Sequence, residues 1–196
     1  MKFIPYDYQQ YTIDYIIKNK TAGIFLDMGL GKTVITLTAI EELMYNRFEV
    51  QRVLVVAPLR VARDTWSSEC GKWDHLKHIK LSLILGDERE RIRAINRNAD
   101  IYVINRENLA WLIDHYGKSF PYDMVVLDEL SSFKDSSSKR FRKMKSVRPF
   151  VKRIVGLTGT PAPNGLLDLW PQIYLLDMGK RLGRYISAYR NEYFLP

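Results

Sequence analysis

Thiols are almost missing from this chain. Of its 196 residues only Cys70 is a cysteine, so no disulfide can close within it, and a reducing compartment is expected. Histidine is nearly as scarce, with three residues. Cys70, His75 and His78 fall close together, but no second ligand pair lies nearby. Zinc needs three or four protein ligands, so a surface turn accounts for these residues better. No nucleophile–histidine–acid grouping stands out. Long apolar runs are lacking as well. Val53–Leu59 is among the longest, far short of the ~20 residues a membrane-crossing helix requires. The N-terminus has no apolar signal-peptide core, which predicts a cytoplasmic protein. Acidic residues are absent from one stretch, Ser136–Leu167. Eight basic residues lie there: Lys139, Arg140, Arg142, Lys143, Lys145, Arg148, Lys152 and Arg153. Elsewhere 22 basic residues face 22 acidic ones, so the whole formal charge of +8 sits in this window. A local anionic partner is one reading and a solvated helix face is the other.

What is present is the composition of an ordinary folded domain, 46% hydrophobic and 27% charged. Near-continuous Val/Ile/Leu runs predict strands at Ala22–Asp27, Arg52–Ala57, Lys80–Leu85, Ile101–Asn105, Met124–Asp128 and Arg153–Leu157. Such runs suit parallel strands buried on both faces. Helical patterns separate them, near Tyr8–Lys18, Thr33–Tyr45, Arg60–Trp73, Arg89–Asn98, Arg106–His115 and Ser138–Val147. In the third, Trp66 and Trp73 fall two turns apart on one face, which reads as core packing. The expectation is an α/β fold, a doubly wound and mostly parallel sheet with helices on both faces. Ligands of such sheets bind beyond the carboxyl ends of the strands. Two further helical patterns, Leu166–Leu176 and Gly179–Phe194, extend the domain without another strand. The apolar end Tyr193–Pro196 has no helix-stop chemistry and reads as interrupted rather than finished.

The first strand runs into Leu26-Asp27-Met28-Gly29-Leu30-Gly31-Lys32-Thr33, and a helix follows. Two glycines let successive N–H groups turn toward an anion, and the helix N-terminus adds its positive end. Lys32 would reach the β- and γ-phosphates, and the Thr33 hydroxyl would sit on magnesium. A full phosphate loop carries a further glycine where this chain has Leu26. A glycine turn that only closes a strand would use the same residues, but strand before and helix after argue against it. The strand Met124–Asp128 strengthens the case, since it ends in adjacent carboxylates. Asp128 is placed for magnesium and Glu129 for polarising an attacking water.

These residues resemble the superfamily 2 helicase-like ATPases, and among them the SWI/SNF-type DNA translocases. Tyr8-Gln9 resembles the adenine-reading motif, with Gln9 as reader, and Asp27–Thr33 resembles motif I. Val55–Leu59 and the helix ending at Trp73 resemble motif Ia, and Ile104–Leu109 lies where the family has a DNA-facing turn. Leu127–Asp135 resembles motif II, and Leu157–Asn164 matches motif III. The resemblance implies a RecA-like lobe over residues 1–196, with about 166–196 as a helical extension toward a second lobe. It implies ATP and Mg²⁺ as cofactors, with Gln9, Met28, Gly29, Leu30, Gly31, Lys32 and Thr33 at the nucleotide. Thr33 and Asp128 would hold the metal, Lys32 and Glu129 would catalyse, and Thr158, Gly159 and Thr160 would couple hydrolysis to movement. Arg60, Arg63, Arg106, Lys134, Lys139 and Arg140 become candidate contacts to double-stranded DNA. The lean N-terminus resembles compact bacterial or phage members, which implies the cytoplasm of a bacterial or phage-infected cell. Two residues depart from the pattern. Ser131 replaces a histidine that commonly couples motif II to motif III, and Asp135 replaces an asparagine.

The family hydrolyses ATP between two lobes, and no motif of the second follows Asn164. An isolated lobe should therefore bind ATP·Mg²⁺ weakly and turn over little. Two other readings remain. A small P-loop kinase would leave Thr158-Gly159-Thr160-Pro161 and the paired acids unexplained. A non-hydrolysing, nucleotide-responsive binding module would use the same loop without the chemistry. A GTPase is disfavoured, because Asn105-Arg106-Glu107-Asn108 is not the base-reading Asn-Lys-x-Asp.

Overall fold

The computed structural model describes residues 1–194, so the last two residues of the apolar end lie outside it. Six strands form, β1 (Thr21–Phe25), β2 (Val53–Ala57), β3 (Leu81–Ile84), β4 (Ile101–Asn105), β5 (Met124–Asp128) and β6 (Arg153–Thr158). Each lies within about a residue or two of the run that predicts it. All pair in parallel, in the order β1-β6-β5-β2-β4-β3. Eight α-helices accompany them: α1 (Asp7–Lys18), α2 (Lys32–Glu41), α3 (Trp66–Lys72), α4 (Glu88–Ile95), α5 (Leu109–Tyr116), α6 (Lys139–Val147), α7 (Leu169–Asp177) and α8 (Ile186–Phe194). Among the described residues no helix is long and apolar enough to cross a membrane.

The sheet feeds two cores, because successive side chains of a strand point to opposite faces. Val53, Val55, Ile101, Val103, Met124 and Val126 pack with α1, α2 and α3. Leu54, Val56, Tyr102, Ile104, Val125 and Leu127 pack with α4, α5, α6 and α7. Hence the strand runs are apolar at every position rather than at alternate ones. Both α7 and α8 belong to the second core, through Trp170, Leu175, Leu176 and Tyr189.

Three helical expectations change. The pattern from Arg106 becomes a helix only at Leu109, because Asn105 and Asn108 bond side chain to side chain in a turn (2.8 Å). The pattern from Gly179 becomes a helix only at Ile186. Gly179 and Gly183 take left-handed φ of 87° and 79°, and buried Asp177 accepts the N–H groups of Gly179, Lys180 and Arg181 in a tight turn. The pattern Arg60–Trp73 opens with a π-turn, Val61–Thr65, and α3 stops at Lys72. Trp73 is therefore extended beyond the helix (φ −98°, ψ 131°) and does not share a helical face with Trp66.

Strand order positions the site. β6, last in sequence, inserts between β1 and β5, so the loops after all three open at one edge. Asp128 is level with Leu157, and Thr158 is level with Phe25. Two strand spacings, roughly 9–10 Å, separate β1 from β5.

Candidate nucleotide site and basic edge

The loop after β1 is shaped by two glycines. Gly29 and Gly31 hold φ of 84° and 78°, a region that residues with a Cβ enter only with strain. A Cβ on Gly31 would fall 2.8 Å from the Gln9 Nε2 atom, whereas Gly29 faces open space. α2 starts at Lys32, so the N–H groups of its first turn have no carbonyl partners within the helix. Lys32 folds across the loop, its Nζ donating to the carbonyls of Leu26 (2.7 Å) and Asp27 (2.9 Å). Gln9 is buried against this loop. Its Oε1 accepts from the Tyr6 N–H (3.0 Å), and its Nε2 donates to the Leu30 carbonyl (3.4 Å). The Tyr8 hydroxyl donates to the same carbonyl at 3.2 Å. A cavity of about 460 Å³ opens here, lined by Tyr6, Gln9, Gly29, Gly31, Val34 and Trp73 among others.

Across β6 stand the paired acids. Asp128 ends β5 with its Oδ2 accepting a hydrogen bond from the Trp66 indole Nε1–H at 3.0 Å. Burial pushes its carboxyl above the ordinary carboxylate range, and the Trp66 bond pulls the other way. Glu129 adds repulsion and Lys32 attraction. Glu129 has a left-handed backbone (φ 63°, ψ 65°), uncommon for a residue with a side chain and costly to hold. Its Oε1 accepts from the Ser131 hydroxyl and from the Thr158 hydroxyl, the latter at 2.8 Å. Among the described residues no hydrogen bond reaches Oε2. Thr158 in turn accepts the Thr160 N–H at 3.1 Å. Ser131, in place of that histidine, thus meets Thr158 through the glutamate itself. Asp135 accepts the backbone N–H (2.8 Å) and hydroxyl (2.7 Å) of Ser137, which shapes the turn into α6.

The loop after β6 packs against the loop after β1. A Cβ on Gly159 would meet the Leu26 carbonyl at 3.4 Å, and the Leu26 N–H donates to the Thr158 carbonyl at 3.2 Å. Buried Gln172 on α7 holds the outer part of that loop, its Nε2 donating to the carbonyls of Pro161 (2.6 Å) and Asp168 (2.8 Å). The donor set suits a magnesium–triphosphate. A lysine, helix-start N–H groups and glycine-lined open space face phosphate, while the Thr33 hydroxyl and the Asp128 carboxylate are hard oxygen ligands.

The basic candidates occupy the other half of the same edge, because β5, β2 and β4 are neighbours in the sheet. Arg60 and Arg63 are exposed at the turn after β2. Arg106 follows β4, paired with Glu107 at 3.0 Å. Lys134 and Lys139 follow β5. Arg140 is half-buried, its Nη1 donating to the Ser132 carbonyl at 3.0 Å. Burial and the charge of Arg106 hold its pKa below the ordinary arginine value. The charged window is thinner than its composition suggests. Arg148 and Arg153 point inward and are 8% and 5% exposed. Arg148 donates to the carbonyls of Leu175, Leu176 and Val151, and Arg153 to those of Ile16, Ile17 and Asn19 and to Glu49.

Residues 8–186 match the SNF2-related domain. The chain belongs to this family. A protein designated p41 from Acyrthosiphon pisum secondary endosymbiont phage 1 is 39% identical over 98% of this chain and 43% of its own length. The human DNA excision repair protein ERCC-6-like is 33% identical over 87% of this chain and 14% of its own length. Among solved structures, the Sulfolobus solfataricus SWI2/SNF2 ATPase core in complex with dsDNA superposes with a TM-score of 0.82 at 25% identity. That match covers 97% of this chain and 39% of the other. The same core domain without DNA in its description gives 0.75 at 27% identity, covering 96% and 39%. The chain therefore spans less than half the length of these relatives, and in that span it has the RecA-like fold of the first lobe of an SNF2 ATPase.

Within this SNF2-related lobe, Lys32, Thr33, Asp128, Glu129 and Thr158–Thr160 lie at the carboxyl ends of the neighbouring strands β1, β5 and β6. Cys70 is buried on α3 rather than in a surface turn, while His75 and His78 meet side chains one turn apart on α2. Burial pushes the Cys70 thiol up to about 12, His75 pairs with the Thr38 hydroxyl (2.9 Å), and His78 lies 3.7 Å from Glu41. Sequence reasoning missed Trp66 and Gln172. The spacing of Trp66 reads as packing, and it does pack, at 0% exposure, but its indole N–H also serves the acidic pair. No local signal marks Gln172.

Proposed function

We propose that this lobe binds ATP with magnesium. Apposed to a second RecA-like lobe, it hydrolyses ATP to ADP and phosphate to drive movement along double-stranded DNA. The observation that carries the reading is the register β1-β6-β5, which stands Lys32 and the Asp128–Glu129 pair on either side of Thr158 at one sheet edge. Lys32 exchanges its two loop carbonyls for the β- and γ-phosphates, while the N–H groups at the start of α2 receive phosphate oxygens. Gln9 stands at the loop where an adenine edge would lie. Magnesium, when bound, neutralises phosphate charge, and Thr33 and Asp128 would hold it. Glu129 is tethered at Oε1 and presents Oε2 to an attacking water, whose proton it accepts. Thr158 ties that base to the loop Gly159–Pro161, a route by which the position of the second lobe reaches the base.

Arg60, Arg63, Arg106, Lys134, Lys139 and Arg140 supply backbone-phosphate contacts, which are independent of sequence as a translocase requires. The DNA-bound Sulfolobus core supports this assignment. The phage relative supports action in the cytoplasm of a bacterial or phage-infected cell. Alone the lobe turns over slowly, because an arginine donated by a partner domain is worth roughly 10³–10⁵ in rate in related phosphoryl transfer.

Nucleotide binding tests the core of the reading. Lys32→Ala removes charge-assisted bonds of about 1.5–3 kcal/mol and should weaken ATP roughly 10–100-fold, whereas Glu129→Gln should keep affinity and lose hydrolysis. Unchanged binding by Lys32→Ala would remove the phosphate assignment.

A further inference from the structure

We propose that Trp66 is a positioning residue for Asp128, fixing the carboxylate that faces magnesium. The inference rests on the nucleotide site proposed above and adds a residue to it. Trp66 is the first residue of α3, fully buried, and its Nε1–H donates to Asp128 Oδ2 at 3.0 Å, from 62 positions away in sequence. An aspartate carboxylate can turn about its last bond. The indole removes that freedom by holding one oxygen, and the packed ring cannot follow a rotation. The indole offers a single donor, so a carboxylate turned away would leave a buried N–H unpaired.

The backbone before Trp66 serves the same end. The π-turn Val61–Thr65 places one more residue in the turn than an α-helix does, and so rotates everything after it by about 100°. That rotation directs the indole at the end of β5. Apolar packing alone would accept any large ring at position 66. A hydrogen bond across two elements to the acidic pair requires this orientation.

The test is the gain in ATP affinity that magnesium produces, taken as the ratio of dissociation constants in EDTA and in magnesium for this chain. Trp66→Phe keeps a ring in the core and removes the N–H. The gain should fall roughly 10-fold, as for other residues that orient a metal ligand, with affinity in EDTA unchanged. In an Asp128→Asn background Trp66→Phe should change the gain no further, because its effect runs through that carboxylate. A folded Trp66→Phe with the wild-type gain overturns the proposal, as does an equal loss in both backgrounds. Lys32→Ala separates the two levels. If it binds ATP as tightly as wild type, the site reading itself has failed. If it loses ATP while Trp66→Phe keeps the magnesium gain, only the role of Trp66 has failed. Should Trp66→Phe not fold, the unaltered chain decides. Its indole ¹⁵N–H resonance, assigned by elimination with Trp73→Phe, Trp111→Phe and Trp170→Phe, should move with ATP·Mg²⁺ and stay with ATP in EDTA. A resonance indifferent to magnesium refutes the assignment.

Discussion

Arg153→Met removes the guanidinium that closes the C-terminal end of α1. The residue is 5% exposed, and its guanidinium donates to Ile16 and Asn19 at 3.3 Å each and to Ile17 at 3.1 Å. A charged donor contributes about 1.5–3 kcal/mol per hydrogen bond, and a buried carbonyl left alone costs about 1–3 kcal/mol. The methionine recovers part of the packing, and the arginine's own desolvation is relieved. Glu49 lies at the surface, where water replaces its partner. The balance is a loss of about 3 kcal/mol, the lower end of what breaking a buried charged group costs. At this chain length that lowers Tm by roughly 6–12 °C. Arg153→Lys keeps the charge but not the fork, and should recover only part of the loss. Thermal and urea unfolding followed by circular dichroism would measure both. DNA affinity, taken well below the new Tm, should not change, because this charge faces the interior. A Tm within 2 °C of wild type, or full recovery with lysine, would refute the argument.

Thr158→Val should leave ATP affinity intact while slowing single-turnover phosphate release roughly 10-fold, part of the 10²–10⁴ that a positioned base contributes. Thr158→Ser, which keeps the hydroxyl, should match wild type, and equal rates for valine and serine would detach Thr158 from the base. On the basic edge, Arg60→Ala and Arg63→Ala should each flatten the dependence of log K on log[salt] for duplex DNA by about 0.9. A slope equal to that of wild type would remove these residues from the interface.

Much of this was legible from local chemistry. Gly29 and Gly31 announce a left-handed loop because few residues tolerate that backbone, and Ser138 has the side chain of a helix cap and caps α6, accepting the Phe141 N–H. Asp128 and Glu129 stand out because two charges terminate an otherwise buried strand. Element ends were less legible where a side chain competes for the backbone. Asn105 and Asp177 each hold a turn where helical periodicity alone would have begun the helix. Arg148 and Arg153 were counted with the solvent-facing charges because composition does not say which way a side chain points.

The six strands, the glycine loop after β1, the acidic pair and the Thr158–Pro161 turn were determined by sequence alone, since hydrophobic period and glycine geometry act within a few residues. Three things waited for tertiary structure: β6 lying between β1 and β5, the indole of Trp66 meeting Asp128, and two arginines of the basic window turning inward to hold carbonyls. Each depends on strand order or on the rotation of a helix about its axis. Neither is written in a local pattern, because contacts between residues dozens of positions apart are chosen only when the whole sheet is packed.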